Sequence, residues 1–160
     1  MSLVRFLIFL SLGIWLGMLV FFPVVAQVAF SIVAPPHLAG MVVRASLIYL
    51  HWFGLACGVV FLVCSAVHNR VVTGRSRPLS LRHILVLLMV ALTALSQFVI
   101  IPRMDLLRLS AGSVSLLAPG NPVRQQFDSL HTWSVRVEEA VLILGLIALY
   151  AVSRRLSSRA

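Results

Sequence analysis

Four apolar runs, each long enough to cross a bilayer, constrain this chain more than any other feature. They cover about 3 to 33, 38 to 67, 83 to 101 with an extension to about 110, and 132 to 152 behind a polar lead-in from about 122. A hydrocarbon core needs ~20 predominantly apolar helical residues, and a helix satisfies its own backbone groups there. Composition points the same way: 61% apolar residues, 11% charged and a mean hydropathy of +1.06 leave too little polar surface to coat a soluble globule. The expected fold class is all-α: a polytopic membrane protein, a four-transmembrane-helix bundle built from two helical hairpins. It forms one domain over 1–160, with helices at about 3–33, 36–68, 80–110 and 122–155.

Arg5 before an apolar stretch and Val24-Val25-Ala26 imitate a cleavable leader. The stretch from Phe6 to Phe22 exceeds a usual leader core, and its Gly13-x-x-x-Gly17 lets a second helix approach closely, so a retained first helix is expected. Pro23 and Pro102 fall inside runs that continue past them and predict kinks. Pro35-Pro36 turns the first hairpin, Pro78 with Ser80 opens the third helix, and Asn121-Pro122 supplies an N-cap and a first-turn proline for the fourth.

A net charge of +9 would suit a nucleic-acid binder, but all 13 basic residues are arginines in short segments between apolar runs, where orientation signals belong. No nucleic-acid partner is expected. Arg5, Arg70, Arg75, Arg77, Arg82, Arg154, Arg155 and Arg159 fall on the side of both termini. Arg44, Arg103, Arg108, Arg124 and Arg136 fall opposite, with all four acids, Asp105, Asp128, Glu138 and Glu139. Eight against five predicts cytoplasmic termini, in a bacterial inner membrane if the arginine-only basicity reflects a GC-rich genome. Cys57 and Cys64, seven residues apart on one helix, are too far apart for a disulfide and read as apolar filler.

Two stripes carry the chemistry. Arg44, His51, Gly58 and Ser65 repeat at seven-residue spacing on the second helix, and Arg124, His131, Glu138 and Gly145 on the fourth. Pro23 precedes His51 by 28 residues and Pro102 precedes His131 by 29, as in a duplicated hairpin, with chance coincidence as the rival explanation. If the stripes face each other, Glu138 lies level with Gly58, where Gly54-x-x-x-Gly58 leaves room. His51 and His131 across the bundle, with Asp128 as the nearest acid, would then hold a metal ion; His37, Met41 and Met104 near the same rim suit copper. The paired histidines could equally hold a haem iron. A third option makes Glu138, with Arg44 and Arg124, a proton or substrate path. Against all of these, His51 and His131 are interfacial hydrogen-bonding residues beside the aromatic belt of Trp52 and Trp133. Arg136 and Glu139 read as a local helix pair, and His68 and His83 as headgroup residues.

Gly13-Ile14-Trp15-Leu16-Gly17 followed by Phe21-Phe22-Pro23, then Phe127-Asp128-Ser129-Leu130-His131 with Ser134, resembles the transmembrane protein 205-like family of four-helix membrane proteins. That family is distantly similar to the copper resistance protein D type and to HemJ-type membrane proteins, whose histidines are associated with copper or haem. The resemblance implies a four-helix architecture, and Glu138 stands where the family is expected to carry asparagine. No phosphate loop, nucleophile elbow, zinc-protease helix or paired-cysteine motif appears, so no catalytic residue is expected. The function classes are a non-enzymatic membrane protein handling a metal ion or haem at its outer face, a small permease or proton-coupled partner using Glu138, and a haem-pathway oxidoreductase. The expected partners are the lipid bilayer, such a ligand, and a second copy or another membrane protein.

Overall fold

The computed structural model describes residues 2–73, 80–112 and 114–157; Arg75, Arg77, Pro78 and Arg159 lie outside them. Every regular element among the described residues is helical: α1 (Ser2–Ile32), α2 (Pro36–Thr73), α3 (Leu81–Leu95), a π turn (Ser96–Ile100), α4 (Ile101–Ala111), a 3₁₀ turn (Val114–Leu116) and α5 (Pro122–Ser157). Three helical stretches, Ser2–Ile32, Pro36–Val71 and Leu81–Ala111, are long and apolar enough to cross a membrane, the build of a multi-pass membrane protein.

The local signals act as their chemistry requires. Asn121 caps α5, its Oδ1 accepting from the Val123 N–H at 2.9 Å, with Pro122 at the first helical position where no donor is needed. Pro23 sits inside α1 without ending it. Pro102 acts differently: the Ile101 N–H donates to the Ser96 carbonyl five residues back, so a π turn precedes the proline and α4 resumes from there. Gly112, at φ 67° and ψ −89°, takes a positive-φ conformation that favours glycine where the chain leaves α4.

α1 packs on α2, α2 on α3, α3 on α5 and α5 on α1, so four rods close a ring with α2 and α5 across its diagonal. The end carrying the α1–α2 turn and Pro122 is called the loop end, and that carrying Ser2 and Ser157 the terminal end. Trp15, Leu12, Leu16, Phe61, Val86, Met89, Val141 and Ala148 fill the middle.

Glycines decide where the rods come closest, and here the structure corrects the sequence. A Cβ at Gly54 would strike the Trp15 indole nitrogen, and one at Gly58 would lie 2.5 Å from Val90 Cγ2 and 3.1 Å from the Trp15 ring. The room left by Gly54 and Gly58 is therefore taken by Trp15, not by Glu138. Gly145 is the third close contact, its virtual Cβ 2.5 Å from Leu16 and 3.0 Å from Met89. Gly13 and Gly17 face outward, with nothing within 4 Å of a Cβ, because Trp15 and Leu16 between them supply the buried face of α1.

Candidate functional site

His51 is completely buried and lies between two partners from two other rods. Its Nε2 is 2.7 Å from Glu138 Oε1 on α5, and its Nδ1 is 2.9 Å from Gln97 Oε1 in the π turn. A carboxylate accepts, so Nε2 donates to Glu138, and an amide oxygen accepts from a protonated Nδ1. A half-turn of the Gln97 amide would present NH2 to Nδ1 instead, which suits the neutral ring. Gln97 can thus serve either protonation state. The three side chains brace the bundle across its diagonal, and Glu138 is 15% exposed against none for His51.

The same region leaves polar groups unanswered. Trp15 Nε1, Thr93 Oγ1, Ser96 Oγ and Glu138 Oε2 are buried with no hydrogen-bond partner among the described residues. Each such group costs about 1–3 kcal/mol if left dry.

About 10 Å nearer the loop end, at seven residues of helical rise, a second polar layer forms. Arg44 Nε donates to Asp105 Oδ1 at 2.5 Å, a second Arg44 nitrogen donates to Asp105 Oδ2, and Arg108 approaches Oδ1 at 3.6 Å. Arg44 therefore pairs with α4. Arg124 instead donates to the Leu117 carbonyl at 2.7 Å and lies 3.9 Å from Asp128 on its own helix. Between α4 and α5, Arg103, Leu106, Leu107, Gln126, Ser129 and Leu130 line an open groove of about 450 Å³, apart from the histidine.

Toward the terminal end, the apolar plug of Phe61, Val86, Met89, Val141 and Ala148 follows. Beyond it lie His68, Asn69, Arg82 and His83. His68, Arg82 and His83 are buried among the helices, Arg82 donates to Asn69 Oδ1, and His83 Nδ1 is hydrogen-bonded to the Ser80 hydroxyl.

The structure joins His51 to Glu138 and not to His131. Trp15 occupies the level of Gly58, so α5 docks with Glu138 opposite His51, and His131, seven residues earlier, stands about 10 Å nearer the loop end. His131 and Asp128 are exposed there. Both nitrogens of His51 are engaged by Gln97 and Glu138, and His131 is not among its partners. Among the described residues no group of three or more His, Cys, Asp or Glu is placed to hold a metal. Arg136 stacks over the Trp133 ring at 5.7 Å instead of pairing with Glu139.

Gln97 and the Trp15 indole nitrogen escaped the sequence reading. Gln97 is the lone amide side chain between Leu81 and Ile101, and with Thr93 it forms a polar face at four-residue spacing, a signal that was available.

A family described as a domain of unknown function, DUF4149, matches residues 10–113, a stretch that holds Trp15, His51 and Gln97 and stops short of Glu138. No curated protein and no solved structure matches the chain.

Proposed function

Because the chain belongs to the DUF4149 family, whose function is undefined, its role has to be read from the site. We propose that it is a small proton-coupled membrane permease or transport partner in which the His51–Glu138 pair takes up and releases protons. One observation carries this reading: a completely buried imidazole bonded to a carboxylate from the diagonal helix, with an amide able to match either protonation state. Ionisable groups inside a membrane domain are expensive to keep, and where they persist they mark proton or substrate routes.

The finer topology is part of the same proposal. α5 is the fourth span, both termini are cytoplasmic and the membrane is a bacterial inner membrane, supported by the eight-to-five arginine asymmetry. The loop end then faces outward, and the Arg44–Asp105–Arg108 layer stands at the entrance to the pair. The Gly13–Trp15–Gly17 and Phe127–Ser134 segments support kinship with the transmembrane protein 205-like proteins.

Proton flux tests the function. Protein reconstituted in vesicles enclosing a pH-sensitive dye is given an external acid step. The expected result is acidification faster than in protein-free vesicles and reduced to the protein-free rate by Glu138→Gln. Equal rates for wild type and empty vesicles, or for wild type and variant, overturn the reading.

A further inference from the structure

α2 and α3 run antiparallel in one register. His51 meets Gln97, and seven residues further along each helix Gly58 faces Val90. That register puts Ser96 and Thr93, one and four residues from Gln97, between the levels of His51 and Gly58. Trp15 reaches the same interval from α1, with Nε1 against Gly54 and its six-membered ring against Gly58. Glu138 Oε2 enters from α5, the second oxygen of the carboxylate whose first is bonded to His51. Four polar groups from three rods thus fall within about 6 Å of helical rise. Trp15, Thr93 and Ser96 are each more than nine-tenths buried, and all four groups lack a partner among the described residues.

Their hydrogen-bonding capacities select what can answer them. Trp15 Nε1–H only donates, the Glu138 carboxylate only accepts, and the two hydroxyls do both. A metal or ammonium ion would meet a donor it cannot accept from, and an anion would meet the carboxylate. A small neutral molecule that both donates and accepts satisfies every group.

We infer that this layer is an internal water-binding site, holding water between the Trp15 indole, the Thr93 and Ser96 hydroxyls and Glu138 Oε2. As a proton acceptor for the pair, the site rests on the proton-exchange reading; as a hydrated layer it is tested on its own. Its donor, Trp15 Nε1–H, reports directly on it.

The full-length protein carrying Trp52→Phe and Trp133→Phe, both exposed rings, keeps Trp15 as its one tryptophan. With ¹⁵N-labelled indole in detergent micelles, a water-selective NMR experiment should give a cross-peak from water to Trp15 Hε1. Thr93→Val, which keeps the side-chain shape and removes the hydroxyl, should weaken that cross-peak roughly threefold or more and lower the unfolding temperature, because a partnered buried hydroxyl is lost. If the layer is dry, the cross-peak is absent and Thr93→Val raises the unfolding temperature; either result overturns the inference, as does an unchanged cross-peak in the variant. Ser96→Ala carries the same comparison if Thr93→Val does not fold. Proton flux without the cross-peak removes the water site and leaves the permease reading, and the cross-peak without flux does the reverse.

Discussion

A buried imidazole and a carboxylate bonded to each other are stable together and costly apart. Removing one partner leaves an uncompensated charge, which typically costs 3–5 kcal/mol, whereas removing both can be nearly neutral. His51→Ala is therefore expected to destabilise the protein by about 3 kcal/mol or more, and His51→Ala with Glu138→Ala by less than the single change. Unfolding curves of the four forms in detergent check this, and additive losses would show that the two residues do not act as a pair. Gln97→Leu should cost about 1–3 kcal/mol, since Nδ1 loses its partner. At this scale the sequence was informative about which residues matter and misleading about how they combine. His51 and Glu138 stood out because ionisable groups in apolar runs are conspicuous. Their pairing was hidden because seven-residue spacing fixes which residues share a helix face and says nothing about how far two helices slide past each other.

Trp15 decides that slide. Its ring lies over Gly54 and Gly58, occupying the slot expected for Glu138, and so sets the level at which α5 meets α2. Small-residue patterns show where a helix can be approached but not by what: Gly54-x-x-x-Gly58 is a contact, while Gly13-x-x-x-Gly17, the same pattern, faces outward. A paired substitution separates them. Gly13→Ala should leave thermal stability unchanged or raise it by up to about 1 kcal/mol, through helix propensity alone. Gly58→Leu should lower it by about 1–3 kcal/mol or more, because Val90 and Trp15 must give way. Similar responses at both positions would contradict this packing. The long helices and the Asn121-Pro122 start of α5 were legible because capping and hydrophobic length are local properties. The π turn before Pro102 was not, since a proline inside an apolar run is compatible with a kink as well as with a wider turn.

For the molecule as a whole, orientation is the first thing to test. A phosphatase active only outside the cytoplasm, fused after Ala160, is expected to be silent, and a fusion in the α1–α2 turn active. The opposite pattern would place the histidine on the cytoplasmic side. The arrangement along the bundle then separates two regimes. Polar layers follow one another from the loop end to the level of Thr93, and mostly apolar side chains, with the buried Ser65 among them, fill the remainder as far as His68, which lies about 26 Å of helical rise from His51.

That plug has an electrical consequence. A voltage across a membrane falls mainly where the path is dry, at about 2.3 kcal/mol per elementary charge per 100 mV for the full crossing. If hydrated groups reach inward to Thr93, most of the drop lies across Phe61, Val86, Met89 and Ala148. The His51–Glu138 pair then stands near the potential of the loop-end solution. An applied voltage should leave its protonation almost unchanged while strongly biasing any step that carries the proton past Met89, so that turnover would depend on voltage and proton occupancy would not.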